Sequence, residues 1–158
     1  MKKVLFIIPA YNHGGTNKSL QSILSLLNKE KYDIDVMSMS TVGPYKNILS
    51  EYKLLSRDLL LTSIYDSFSH IKKEDFIERA KKIVVKLLYK CLFVIGRKNR
   101  IDLVYRISGR KLGKRKYDTI IAMQEGRATH FASYIKGYKL AWVHCDYSEY
   151  FNLEKKDE

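Results

Sequence analysis

Cysteine is scarce in this chain, long apolar runs are missing and acid is outnumbered by base. Each shortage excludes something. Two cysteines among 158 residues, Cys91 and Cys145, make no disulfide framework, and a reducing cytoplasmic setting is expected. The first apolar run, Val4 to Ile8, ends after five residues with no small-residue cleavage pattern, so it does not read as a signal peptide. Ile83 to Ile95 is interrupted by Lys86 and Lys90 and is too short to span a bilayer. No zinc-ligand spacing, RNP-type motif or helix-turn-helix signature occurs, and no metal is expected.

The shortage of acid is local. Lys and Arg number 29 against 17 Asp and Glu, a formal net charge of +12. Between His70 and Lys116 there are 16 basic residues and 4 acidic ones, so this segment carries the whole imbalance. A negatively charged partner meeting the middle of the chain is implied. Single-stranded nucleic acid would call for aromatics interleaved with the basic residues. Tyr89, Phe93 and Tyr105 instead sit among apolar neighbours, so nucleic acid is not the expected partner.

With 46% hydrophobic and 29% charged residues, the chain belongs to the folded rather than the disordered class, at a length suited to one domain. Its organising stretch is Val4 to Leu27. Val4 to Ile8 is apolar at every position, as in a strand covered on both faces in the middle of a parallel sheet. Pro9 stops it, a polar turn with Gly14 and Gly15 follows, and Leu20, Ile23, Leu24 and Leu27 resume at helical spacing. Strand, glycine turn and helix together make an anion site, because backbone N–H groups at a helix start are open to a ligand. The turn lacks the third glycine of a dinucleotide fingerprint. Asn12 and Asn17 occupy the two glycine positions of a P-loop.

Further along, Tyr32 to Ser40 alternates as a strand, Tyr45 to Tyr52 reads as a short helix, and Lys53 to Leu61 is ambiguous, with a third strand as one choice. Ser69 to Arg97 reads as an amphipathic helix. Phe76, Ala80, Ile83, Leu87, Cys91 and Val94 form its apolar line, and Arg79, Lys82, Lys86 and Lys90 a basic line on another face. That basic face is expected to be solvated or to lie on an anionic membrane through Lys82, Lys86 and Lys90. Arg100 to Lys116 follows as a second basic helix. Tyr117 to Met123 as a strand, Arg127 to Ile135 as a helix and Lys139 to His144 as a strand then give βαβ order. Ligands in such sheets sit beyond the carboxyl ends of the strands. Asn12 to Thr16, Gln124-Glu125-Gly126 and His144-Cys145-Asp146 should therefore face one crevice.

Pro9-Ala10-Tyr11-Asn12-His13-Gly14-Gly15-Thr16 resembles the opening of retaining GT-B glycosyltransferases of the large group called family 4. Tyr117-Asp118-Thr119-Ile120-Ile121-Ala122 is similar to their "YD-hydrophobic" strand, and Trp142-Val143-His144 with Asp146 to their Trp-x-His segment. The resemblance spans Met1 to about Tyr147, apart from the basic middle. It implies an α/β fold, a Rossmann-like parallel sheet flanked by helices that forms one half of a GT-B architecture. On this reading, residues 1–150 are the N-terminal, acceptor-binding domain, with a basic helical segment at 69–116. Residues 151–158 are a charged tail or the start of an interdomain linker. Gly14, Gly15 and Thr16 would approach the diphosphate of a nucleotide-sugar donor or the group being glycosylated. His144 would line the reaction centre and Asp146 would orient an acceptor hydroxyl, with Asn12, Gln124, Glu125 and Arg127 as acceptor contacts. No cofactor is implied, because the nucleotide sugar is a substrate, and no protein nucleophile is needed. The acceptor would be a saccharide or a lipid-linked saccharide at the inner membrane face. The C-terminal donor-binding half, with its E-x7-E pattern, is not in the sequence, so it would be a separate partner or a missing domain. By their residue types alone, His144 reads equally as a structural histidine, Asp146 as a cap and Trp142 as core.

Overall fold

Strand β1 (Lys2–Ile8) is buried from Val4 to Ile8 because it has a parallel neighbour on each side and a layer of helices on each face. The computed structural model describes residues 1–55, 58–94 and 100–144, with nothing stated of the side chains of 92–94. After β1 come α1 (Gly15–Leu26), β2 (Tyr32–Ser38), α2 (Tyr45–Ile48) and the two-residue β3 (Lys53–Leu54). Four helices follow, α3 (Leu59–Tyr65), α4 (Phe68–Ile71), α5 (Phe76–Val94) and α6 (Arg100–Gly113). The described part closes with β4 (Thr119–Ala122), α7 (Arg127–Ser133) and β5 (Tyr138–Ala141). The five strands form one all-parallel sheet in the order β3-β2-β1-β4-β5. The fold is thus α/β and Rossmann-like, as its sequence pattern implies.

Alternation along β1 separates two cores. Val4, Phe6 and Ile8 pack with Leu20 and Leu24 of α1 and with Tyr45 and Leu49 at α2. Leu5 and Ile7 pack with Leu61 of α3, Val104, Tyr105 and Leu112 of α6, and Ala128 and Phe131 of α7. The strand order reverses between β1 and its neighbours β2 and β4, which places the ligand crevice of such sheets at the carboxyl end of β1.

Two stretches depart from the sequence reading. The ambiguous Lys53 to Leu61 is mostly not strand, because Asp58 caps α3 by accepting the N–H groups of Leu60 and Leu61, each at 3.0 Å. The long helix expected from Ser69 breaks before Phe76 into α4 and α5.

Helix α5 also faces the other way. Its basic line was expected outward, yet Lys82 is buried, with its ammonium 2.8 Å from Asp66 and 2.6 Å from Glu74. The Lys86 ammonium donates to the Asp66 main-chain oxygen at 2.6 Å. Lys90 remains exposed, its ammonium 5.7 Å from the Phe68 ring centre. The face expected to be apolar core is open instead, with Phe76 and Leu87 74% and 55% exposed. The physical reason is the buried carboxylate at the end of α3, which only a cation can neutralise in place. Lys82 is therefore unavailable as a membrane contact.

Candidate functional site

The loop leaving β1 is fastened from three sides. Tyr11 donates its N–H to Val42 O (2.9 Å) and accepts from Tyr45 N (3.0 Å), while Asn17 Nδ2 donates to Ala10 O (2.9 Å) and Asn12 O (2.6 Å). Gly43 makes this approach possible. Its φ is +126°, and a Cβ there would stand 2.1 Å from the Tyr11 carbonyl carbon.

Gly14 and Gly15 are different. Gly14 is extended, with φ and ψ both 168°, and a Cβ at either position would meet nothing within 4 Å. Neither backbone strain nor crowding among the described residues calls for glycine at these two positions. Both are exposed, with Thr16 half-buried behind them, and α1 begins there with its first N–H groups open. Such a turn can admit an anionic group to backbone contact.

Beside this turn lies a cavity of about 310 Å³ whose walls include Asn12, Ser40, Tyr65, Ser67, His70 and Arg127. The Arg127 guanidinium stands 5.5 Å from the centre of the Tyr65 ring, and the Tyr65 hydroxyl shares a hydrogen bond with that of Tyr105. Burial raises the Tyr65 phenol above its ordinary value, with a smaller opposing effect from the hydrogen bond to Tyr105, so it stays a neutral wall. His70 Nδ1 and Ser67 Oγ are 2.6 Å apart. A guanidinium, an imidazole and hydroxyls around one hollow suit a ligand carrying carboxylate or phosphate.

The Ser40 side of the wall is anchored on Asp66, which does not itself line the hollow. Asp66 accepts from Ser40 Oγ (2.6 Å), Thr41 N (3.0 Å), Thr41 Oγ1 (2.7 Å) and Lys82 Nζ (2.8 Å). Burial pushes the carboxyl up, but the hydrogen bonds from Lys82, Ser40 and Thr41 together hold it below its ordinary 3.8. Burial likewise lowers Lys82, and its two carboxylate partners more than offset that, leaving it above 10.5. A larger hollow of about 600 Å³ includes Thr41, Lys46, Glu74 and Lys82 among its walls. Its lining mixes cations and carboxylates, Lys46, Lys73 and Lys82 with Glu74, Asp75 and Glu78, so it is the poorer candidate for a ligand of one charge.

The turn after β4 performs two jobs. Gln124 is half-buried, and its main-chain oxygen accepts from Thr129 Oγ1 at 2.8 Å. Glu125 is buried and accepts the His144 N–H at 2.9 Å, so its carboxylate fastens the end of β5 rather than standing open for an acceptor. His144 Nε2 lies 2.9 Å from Met123 O. A carbonyl only accepts, so in the neutral ring Nε2 carries the proton and Nδ1 has a lone pair that can accept from a hydroxyl. The ring stacks near Trp142, with centroids 6.2 Å apart. Trp142 is not core; it is 45% exposed and lines an apolar cleft with Phe6, Ile23 and Leu140.

Of the expected site residues, Asn12 and Arg127 share the cavity, and Gly14, Gly15 and Thr16 form the open turn next to Asn12. His144, Gln124 and Glu125 are held at the end of β4 and do not line that hollow. Asp146 lies outside the described residues. Reading the sequence missed Tyr65, Ser67, His70 and Asp66. Their one signal is Ser67-Phe68-Ser69-His70, the start of the short helix α4. Among the described residues, no three His, Cys, Asp or Glu side chains gather to hold a metal, and no helix is long and apolar enough to cross a membrane. No protein-family model, curated protein or solved structure matches the chain.

Proposed function

We propose that this chain is the acceptor-binding half of a GT-B glycosyltransferase, which transfers a sugar from a nucleotide-sugar donor to a saccharide or lipid-linked acceptor in cell-surface glycan synthesis. The observation that carries the proposal is the Gly14-Gly15 turn. Among the described residues its glycines answer no need of packing or conformation, and they open at the carboxyl edge of the sheet beside the hollow holding Asn12 and Arg127. A close-approaching charged ligand explains both features. Arg127 and His70 would hold an anionic group of the acceptor, and the open turn would admit its phosphate or the donor's. His144 Nδ1 would accept from the hydroxyl of the bound sugar, with Met123 fixing the tautomer. The donor-binding half would come from a further domain or subunit, and the chain alone would not turn over. The reading places it in the cytoplasm, peripheral to the inner membrane face.

A second reading, a non-catalytic interaction module, is favoured by the outward apolar face of α5. Incubating the chain, joined to a donor-binding half, with a panel of nucleotide sugars and membrane extract separates the two. Donor-dependent product that falls by at least about tenfold in Arg127→Ala and His144→Ala supports the transferase. A folded two-domain assembly that makes no product with any donor sinks it.

A further inference from the structure

Among the described residues, helix α5 packs on α3 and touches α4 and α6. Its inward side carries Lys82, Lys86 and Tyr89. The opposite side carries Ile77, Val84, Leu87 and Leu88, each more than half exposed, with Phe76 at its start. Positions 77, 80, 84, 87, 88 and 91 are linked by steps of three and four residues and so form one continuous line along the helix. Cys91 and Ala80 are exposed within it. Scattered apolar residues on a surface are ordinary, but a contiguous stripe of this length marks a surface that something covers.

Charge selects what covers it. Residues 72–90 hold seven basic residues against Glu74, Asp75 and Glu78, and the exposed Lys72, Lys73, Lys81 and Lys90 lie just before or along the helix. Lys81 is shared with Glu78 at 2.9 Å, and the Lys90 ammonium lies 5.7 Å from the Phe68 ring centre. Two copies joined through this face would bring two strongly basic segments together, which opposes self-association. An anionic bilayer complements both features at once, because apolar side chains enter the acyl boundary while lysines reach the headgroups.

We infer that the outward face of α5, centred on Val84, Leu87 and Leu88, lies in the surface of an anionic lipid bilayer. The docking residues are then the apolar ones, with the exposed lysines as rim, and the inward Lys82 has no part in it. This surface is separate from the hollow at the carboxyl edge, and the inference does not depend on the transferase reading.

The test is co-sedimentation of the full chain with vesicles made of equal parts phosphatidylglycerol and phosphatidylcholine, compared with phosphatidylcholine alone. The substitutions Val84→Glu and Leu88→Glu fall on exposed positions, so the fold should tolerate them, and a thermal melt checks that it does. Leu26→Glu, on the exposed end of α1, is the control. Wild-type protein should sediment with the anionic vesicles, lose binding as salt rises, and partition about tenfold or more weakly once Val84 and Leu88 are both glutamate. Leu26→Glu should bind like wild type. Equal binding by folded V84E/L88E and wild type overturns the inference, as does failure of wild type to bind at all. A concentration-dependent dimer, seen by sedimentation velocity and abolished by the same pair, would assign the face to a second copy instead.

Discussion

Helix α1 lays Leu20 and Leu24 against the sheet and leaves Lys18 exposed, whereas α5 lays Lys82 and Lys86 inward and leaves Val84, Leu87 and Leu88 open. Both are amphipathic helices of ordinary composition, and periodicity identifies the two faces of each equally well. What periodicity does not contain is the direction a face points, because that depends on the neighbour. Helix α1 meets Val4, Phe6 and Ile8, which accept only apolar partners. Helix α5 meets the end of α3, where Asp66 is already bonded to Ser40 and Thr41 and needs a cation to complete it.

The comparison breaks most visibly if the wrong residues turn out to hold each helix down. Lys82→Ala leaves the buried Asp66 carboxylate without its cation and should cost about 3–5 kcal/mol of folding stability. Leu24→Ala in α1 should cost about 2–5 kcal/mol, as large-to-small changes in a closed core do. Leu88→Ser, on the open side of α5, should change stability by no more than about 0.5 kcal/mol. Urea unfolding of the three variants checks the order. A Leu88→Ser cost equal to that of Leu24→Ala would mean that the apolar side of α5 is covered within the monomer.

Acid sharpens the same contrast, since α1 docks without charge and α5 docks on a carboxylate. Asp66 is held below its ordinary 3.8 in the fold, so its contribution to stability is present above that value and disappears as pH falls through the lower, folded one. Lys82 is held above 10.5, so its contribution is complete below that value and is lost only at more alkaline pH. The urea midpoint of the wild type should therefore hold through the neutral range and drop at strongly acidic pH. In Lys82→Met the cation is gone while burial still pushes Asp66 up, so the acid drop should begin at higher pH. An unchanged acid profile in Lys82→Met would mean that the carboxylate does not need its lysine.

The parallel sheet was legible because β1 is apolar at every position and the turn residues punctuate each later strand. Asp58 could have announced α3, since an acidic residue directly before an apolar run is an N-cap signal. The orientation of α5 was not legible, because its partner Asp66 lies 16 residues away and only the folded chain places it under Lys82. At the site, the turns after β1 and β4 could be read from strand order alone. His70 and Ser67 could not, because they enter the hollow from a short helix whose position depends on the packing of α3. Glu125 carries the opposite lesson: it stands at the expected turn, yet its carboxylate is committed to the His144 main chain.

Helix α1 also contrasts with the neighbouring loop in what its glycines do, and the smallest expected effect lies there. Helix α1 starts from two glycines with open space around them, whereas Gly43, one loop away, stands against Tyr11 with φ +126°. If glycine is present at positions 14 and 15 for a visitor and at 43 for the fold, alanine should separate the two. Gly43→Ala must move the loop that leaves β1 and should cost at least about 1–3 kcal/mol. Gly15→Ala gains helix propensity at an unstrained position, so its effect should lie between nothing and a gain of about 1 kcal/mol. Thermal melts of both variants, paired with retention of a saccharide phosphate by equilibrium dialysis, give the discriminating pattern. A Gly15→Ala chain as stable as wild type that no longer retains the anion would leave close approach of a ligand as the reason for glycine. Full retention by the same chain would leave the open turn without a purpose at this site and would shift the functional weight to the outward face of α5.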